Sequence, residues 1–432
     1  MRTVTVAMGG ALAIVLVSTD AAAAEQGGSG WEWGGDFRSR VTLLDEVPYV
    51  HPETSEHAEH NQLFNRNRTR IWTEYEITPD VRFHARLMNE FFWGDRGRDY
   101  GDIQEDREPL SEVLPDLLYV DVDNLADGNM HLRLGRQEMI YGNGRIMLNG
   151  TPRDGSRTLF VNAAKLSLDL YPDHQVDLFA IYNEDEDSLT INSQSSLDLI
   201  EHDEMAVGFY GQSQVPEQWP FEYHWIYKHE DRDSDSADFQ TIGGRVFPTF
   251  GEWSLNLELA IQQGEKGDQD IASEMIDASL TYRPQLAGNL EPALSGGYYY
   301  LSGNDADSDE REDWFPVFSR WPQLSELYLY SFVGTDHGVG GWSNLHAPFI
   351  GADIGLGGKT NLELRYHLLL ADEKDGQGDG DERGGLTTIN LAMQFTEDLE
   401  THLRLEHLAV GDYYPDDAED AWFARAHLQY SF

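Results

Sequence analysis

At the C-terminal end, Trp422, Ala424, Ala426, Leu428, Tyr430 and Phe432 alternate with Arg425, His427, Gln429 and Ser431. A period of two puts apolar and polar side chains on opposite faces of a strand, as needed where one face meets lipid and the other water. The same rhythm opens the chain: in Trp31 to Leu43 the odd positions are mostly apolar, and Arg38 and Arg40 lie between them. Arg66, Arg68 and Arg70 lead into Ile71, Thr73, Tyr75 and Ile77. After Thr78-Pro79-Asp80 come Val81, Phe83, Ala85 and Leu87, interleaved with Arg82, His84 and Arg86. Turn-forming residues then punctuate the chain at Ala126-Asp127-Gly128, Tyr171-Pro172-Asp173, Val215-Pro216-Glu217, Phe247-Pro248-Thr249, Pro284 to Asn289, Gly357-Gly358-Lys359 and Thr396-Glu397-Asp398. Between them lie long acidic stretches: Asp45 to Phe64, Gly94 to Glu112, Glu184 to Asp203, His229 to Asp238, Gly303 to Leu345, Asp372 to Gly385 and Gly411 to Asp420. With Leu324 to Phe332 assigned to the longest stretch, the pattern predicts an all-β fold. It is a transmembrane antiparallel up-and-down barrel of about 18 strands, with short periplasmic turns and long extracellular loops. A soluble β-sandwich would not sort its connections by length in this way.

Bulk properties agree with strands rather than helices as the spanning elements. A mean hydropathy of -0.51 leaves no apolar run long enough for a membrane helix. Aromatics at 12% are abundant for so polar a chain and suit girdles at two membrane interfaces. Cysteine is absent, so thiol and disulfide chemistry are excluded. Residues 1–24 read as a cleaved export signal: Arg2, an apolar core from Ala11 to Val17, and Ala22-Ala23-Ala24 before Glu25. Residues 25–432 are then the barrel, destined for a bacterial outer membrane.

The net charge of -47 excludes general nucleic-acid binding, which requires a basic footprint. Five of the 30 basic residues are lysine. The acidic excess falls in the outer loops, whereas arginines fall on strands. Alternation sends Arg38, Arg40, Arg66, Arg68, Arg70, Arg82 and Arg86 inward at one end of the chain, and Arg404 and Arg425 at the other. Closing the barrel joins first and last strands, so these groups form one wall, with Glu258 and Asp277 opposite. A positive stripe in a low-dielectric wall attracts anions, and the guanidinium fork matches carboxylates. The competing reading is that the arginines pair with Glu74, Glu76 and Glu90 and merely hold the wall together.

The segment Leu132-Arg133-Leu134-Gly135-Arg136-Gln137-Glu138, followed by Tyr141-Gly142, Arg145, Arg153 and Arg157, resembles the alginate export family of outer-membrane proteins. Ser302-Gly303-Asn304-Asp305 and Gly341-Trp342-Ser343-Asn344-Leu345 extend the likeness. The resemblance implies a monomeric barrel with an Arg-rich lumen, passing anionic uronate polysaccharide, oligosaccharide or smaller anions by diffusion. Arg133, Arg136, Arg145, Arg153 and Arg157 would join the lining groups. Simple alternation, however, puts Arg136 on the lipid side with Leu132 and Leu134, at the rim unless a bulge turns it inward. The family's pore is partly covered by an outer loop, a role implied for residues 303–345. Trp314, Trp321 and Trp342 in that loop would constrict the pore or stack on sugar rings.

No G-x-S-x-G elbow, P-loop or H-E-x-x-H motif occurs, so no enzyme activity is expected. His51, His57 and His60 lack metal-site spacing, and Asp305, Asp307 and Asp309 lack the glycine of a calcium loop. No cofactor is expected beyond loosely held Ca2+ at acidic loops, and the partners expected are lipid and lipopolysaccharide. A rival from another class is a plugged structural or adhesive barrel acting through calcium-dependent acidic loops.

Overall fold

The structure, a computed structural model, describes residues 30–47, 60–95, 110, 112–149, 159–193, 202–231, 236–285, 290–319, 324–327, 343–374 and 378–432. The segment expected to be an export signal, Arg153, Arg157, Trp321 and Trp342 lie outside these residues. Eighteen strands close into an antiparallel barrel. They are β1 (Trp31–Val47), β2 (His60–Thr78), β3 (Val81–Asp95), β4 (Glu112–Leu125), β5 (Met130–Gln137) and β6 (Val161–Tyr171). Next come β7 (His174–Asn183), β8 (Asp203–Ser213), β9 (Phe221–Asp231), β10 (Ala237–Val246), β11 (Trp253–Lys266) and β12 (Gln269–Tyr282). The circuit ends with β13 (Glu291–Leu301), β14 (Leu345–Gly355), β15 (Thr360–Leu370), β16 (Glu382–Gln394), β17 (Leu399–Val410) and β18 (Ala421–Ser431).

Each strand pairs with its neighbours in sequence, and β18 pairs with β1 from Asp36↔Ser431 to Asp45↔Trp422. Gly35 and Phe432 exchange backbone hydrogen bonds of 2.9 and 3.0 Å at the end of that seam. Closure leaves no unpaired edge, which a lipid environment demands. The alternation read from sequence appears as two faces. Phe37, Val41 and Leu43 are exposed outward, whereas Arg38, Arg40 and Thr42 between them are buried inward. On β18 Trp422, Leu428 and Tyr430 point outward, and Phe423, Arg425 and His427 point inward. Aromatic contacts band the short-turn end: Trp31 against Tyr75 at 4.5 Å, Trp253 against Tyr282 at 4.6 Å, and Trp219 against Phe250 at 5.5 Å. Rings of this kind, apolar in body and polar at one edge, suit the interface between hydrocarbon and headgroup.

Two outer connections depart from the expected pattern, one by its length and one by its path. β11 and β12 meet on the long-loop side through the tight turn Gly267-Asp268, where a loop of some length would be expected. Lys266↔Gln269 closes that hairpin, and Gly267 has the positive φ of 58° that the turn requires. Residues after β5 do not stay outside. Met139–Ile140 pairs with Leu148–Asn149 in a small ladder of its own, detached from the barrel sheet.

Gly135 sits just before this departure. Its φ is +124°, and a Cβ there would lie 2.3 Å from the Leu118 carbonyl oxygen of β4. Gly135→Ala is therefore expected to destabilise the barrel by about 3 kcal/mol, combining a disfavoured φ with a backbone clash. Urea unfolding from lipid vesicles, followed by tryptophan fluorescence, measures it; an unchanged midpoint would refute the strain argument.

Candidate functional site

The inward faces of β17, β18, β1 and β2 carry a run of arginines that cross-strand register sets opposite one another. Arg38 faces Arg68, Arg40 faces Arg66, and Arg404 faces Arg425. Their partners are shared. Asp36 takes Arg68 at 2.9 Å and Arg70 at 2.6 Å, and Glu90 accepts both forks of Arg66 at 3.0 and 3.1 Å. Arg404 pairs with Glu406. Two histidines also take part: Arg40 Nε donates to His427 Nδ1 at 2.9 Å and Arg425 Nε to His402 Nε2 at 3.2 Å. The two imidazoles stack at 4.3 Å, and the nitrogens that accept from guanidinium carry no proton.

A second set, on β3 and β5, is matched by fixed carboxylates. Arg133 forms a bidentate pair with Asp121 at 2.7 and 2.9 Å and lies over the Tyr119 ring at 4.0 Å. Arg86 meets Asp116 at 2.9 Å and Glu138 at 2.7 Å. Asp116 reaches it because the β3–β4 register slips between Arg86 and Leu87. Arg82 meets Asp123 at 2.9 Å and Glu74 at 3.7 Å.

Arg136 belongs to neither set. Continuous register with Leu118 and Asn162 keeps it on the side of Leu132 and Leu134, as simple alternation requires. Its guanidinium is 4% exposed, clasped by both oxygens of Asp187 at 2.6 and 2.9 Å, donates to the Pro115 carbonyl, and stacks on Phe160. Asp187 lies in the loop after β7, which runs on to pair Asn192 with Val113 of β4. Burial disfavours the Asp187 charge, but the hydrogen bonds and charge of Arg136 outweigh it and hold the carboxyl below the usual range. Arg136 thus ties a loop to the wall.

Inside the barrel two segments join. Gly142 fits because its φ is +55° and a Cβ would meet Glu222 Oε2 and the Tyr210 hydroxyl, both at 2.9 Å. Beside it Tyr141 stacks on Tyr210 at 4.2 Å and donates to Asp177 at 2.7 Å. Arg145 reaches Asp277 of β12 at 2.7 Å, over the Tyr299 ring. From the long loop, buried Trp314, Phe315, Val317 and Phe318 pack into the same apolar cluster as Tyr141, Ile146 and Met147. Backbone bonds from Phe318 to Ile146 (3.0 Å) and from Leu148 to Phe318 (3.1 Å) splice the two segments. Gln262 of β11 bonds the Phe315 backbone in both directions, at 2.7 and 2.9 Å. Further along the loop, Glu326 reaches Arg425 Nη1 at 3.2 Å. The result is a crosspiece with Arg145 on the acidic wall and Glu326 on the arginine seam.

Sequence reasoning missed Glu326, His402, His427 and Lys228. Alternation would have found the last three, since each occupies an inward position on its strand. Glu326 carried no signal, because a loop has no period. Asp305 Oδ1 accepts from the Asp307 amide and so shapes its own turn. Among the described residues no group of three or more His, Asp or Glu gathers as metal ligands would.

The family model described as "Alginate export" matches residues 33–421. No curated protein sequence matches. Among solved structures, Pseudomonas aeruginosa OccK3 (OpdO) is 13% identical, with a TM-score of 0.54 over 93% of this chain and 96% of that one. A BenF-like porin from Pseudomonas fluorescens Pf-5 is 10% identical, with a TM-score of 0.58 over 93% and 98%. OccK2 (OpdF) of Pseudomonas aeruginosa, solved in complex with glucuronate, is 12% identical at a TM-score of 0.54 over 93% and 98%. At such identities the neighbours establish the fold alone, an outer-membrane porin barrel. With the closed barrel and a family match across nearly the whole strand-bearing region, this chain belongs to the alginate export family of outer-membrane channels.

Proposed function

We propose that the chain is a passive channel for anionic solutes, and that uronate saccharides are the class its arginine seam fits best. The observation that carries this reading is the facing of arginine by arginine across three cross-strand pairs, Arg38/Arg68, Arg40/Arg66 and Arg404/Arg425. Like charges directly opposite destabilise a sheet. A wall built only for structure would set guanidinium against carboxylate, as β4 and β5 do at Arg133 and Asp121. A seam kept rich in guanidinium supports attraction of passing anions, and the planar fork favours carboxylates over spherical ions. The glucuronate recorded with OccK2 is a ligand of this chemical class in a barrel of the same fold.

The test is single-channel recording of the refolded protein in a planar bilayer under a salt gradient. A reversal potential on the anion side, with current reduced by added oligouronates, is the expected result. A cation-selective pore would overturn the reading, and negligible conductance would favour the plugged, adhesive barrel instead.

A further inference from the structure

Among the described residues, Glu326 differs from the other carboxylates on the arginine seam in how it is held. Asp36, Glu90 and Glu406 project from barrel strands. Glu326 comes from the long loop after β13, and its neighbours anchor it to one residue: Ser325 Oγ and the Leu327 amide both donate to Glu406. Leu327 is fully buried in the inner apolar cluster, which sets the depth to which the segment reaches. At that depth the Glu326 carboxylate lies 3.2 Å from Arg425, which faces Arg404 across β17 and β18, while Arg40 stands one register step away on β1 with Arg66 opposite it. Two of those already have strand-borne partners, Glu90 for Arg66 and Glu406 for Arg404. Glu326 is thus an additional anion, delivered by a tether to the most cationic part of the wall.

We propose that Glu326 occupies a carboxylate-binding subsite formed by Arg40, Arg66, Arg404 and Arg425, and that the carboxylate of a uronate solute displaces it in transit. The inference deepens, and rests on, the anion-channel reading above. Its physical sense lies in the demands of permeation. A solute must bind well enough to enter and weakly enough to leave. With one carboxylate fewer on this stretch of wall, the guanidinium groups would hold a uronate longer. A tethered carboxylate is present at high effective concentration, so it lowers apparent affinity by the fraction of time it fills the subsite. It also keeps the guanidinium groups solvated by an anion whenever no solute is bound.

The experiment uses the full chain in planar bilayers, with sodium glucuronate as probe and glucose as the neutral control. In Glu326→Gln the glucuronate concentration that halves the chloride current is expected to fall about tenfold, and single-channel blockages to lengthen by a similar factor. Glu326→Asp, which keeps the charge, should stay close to wild type, and glucose should block none of them. Equal half-blocking concentrations in wild type and Glu326→Gln would overturn the proposal while leaving an anion-selective wild type intact. A wild type that is not anion-selective would overturn the channel reading itself. Should Glu326→Gln fail to refold, Ser325→Ala loosens the same tether without touching an arginine. It should shift block in the same direction by a smaller factor, and no shift there would likewise defeat the proposal.

Discussion

Lys228→Ala should lower the stability of the barrel by about 3–5 kcal/mol, the range for leaving a buried charge without its partner. Lys228 is fully buried on the inward face of β9. Its ammonium group meets Glu204 at 2.9 Å, Glu230 at 2.7 Å and the Val317 carbonyl at 2.7 Å, so its three donors are matched by three acceptors. It also sits 4.6 Å from the Phe318 ring centroid. Removing it leaves two carboxylates together in a buried site and releases the backbone of the infolded loop. Two readouts should move together: the urea midpoint falls, and single-channel conductance rises as the crosspiece loosens. Lys228→Met separates charge from bulk, because it restores most of the volume but none of the donors. A methionine variant as stable as wild type would show that packing, and not the ion cluster, holds the loop.

The second large effect concerns selectivity. Neutralising the facing pair, Arg404→Gln with Arg425→Gln, removes two cations and leaves Glu406 and Glu326 on the same stretch of wall. The local potential there should change sign, and the anion-to-cation permeability ratio should fall about tenfold. Reversal potentials in a salt gradient report it directly. The informative control is Arg133→Gln. That arginine forms a bidentate pair with Asp121, so its charge is largely cancelled where it stands. Its loss is expected to alter stability more than selectivity. If both variants shifted the reversal potential equally, the distinction between seam and structural arginines would fail.

That distinction marks the limit of what alternation conveys. Arg86, Arg133 and Arg404 look equivalent along the chain, each an inward position on a polar face. Whether the residue across the sheet is a carboxylate or another arginine depends on register, and register between strands is set by turns and bulges elsewhere. The slip beside Arg86, which delivers Asp116, is one example. Arg136 is another: its face was readable from Leu132 and Leu134, but its partner Asp187 comes from a loop two strands further along the chain.

The sequence alone determined the fold class, the approximate strand number, the side on which most connections are short, and which strand residues share a face. These follow from a two-residue period and from turn chemistry, both local properties of the chain. The tight outer turn at Gly267-Asp268 escaped only because the length rule is a tendency among loops and not a constraint on any one. The tertiary structure alone decided what fills the barrel. Arg145 on Asp277, Phe318 spliced to Ile146, Lys228 on Val317 and Glu326 on Arg425 join residues far apart in sequence. Such contacts exist only once the wall has closed and given aperiodic loop segments a surface to pack against. No local pattern encodes them, because the groups they satisfy lie on the inner surface of the completed barrel.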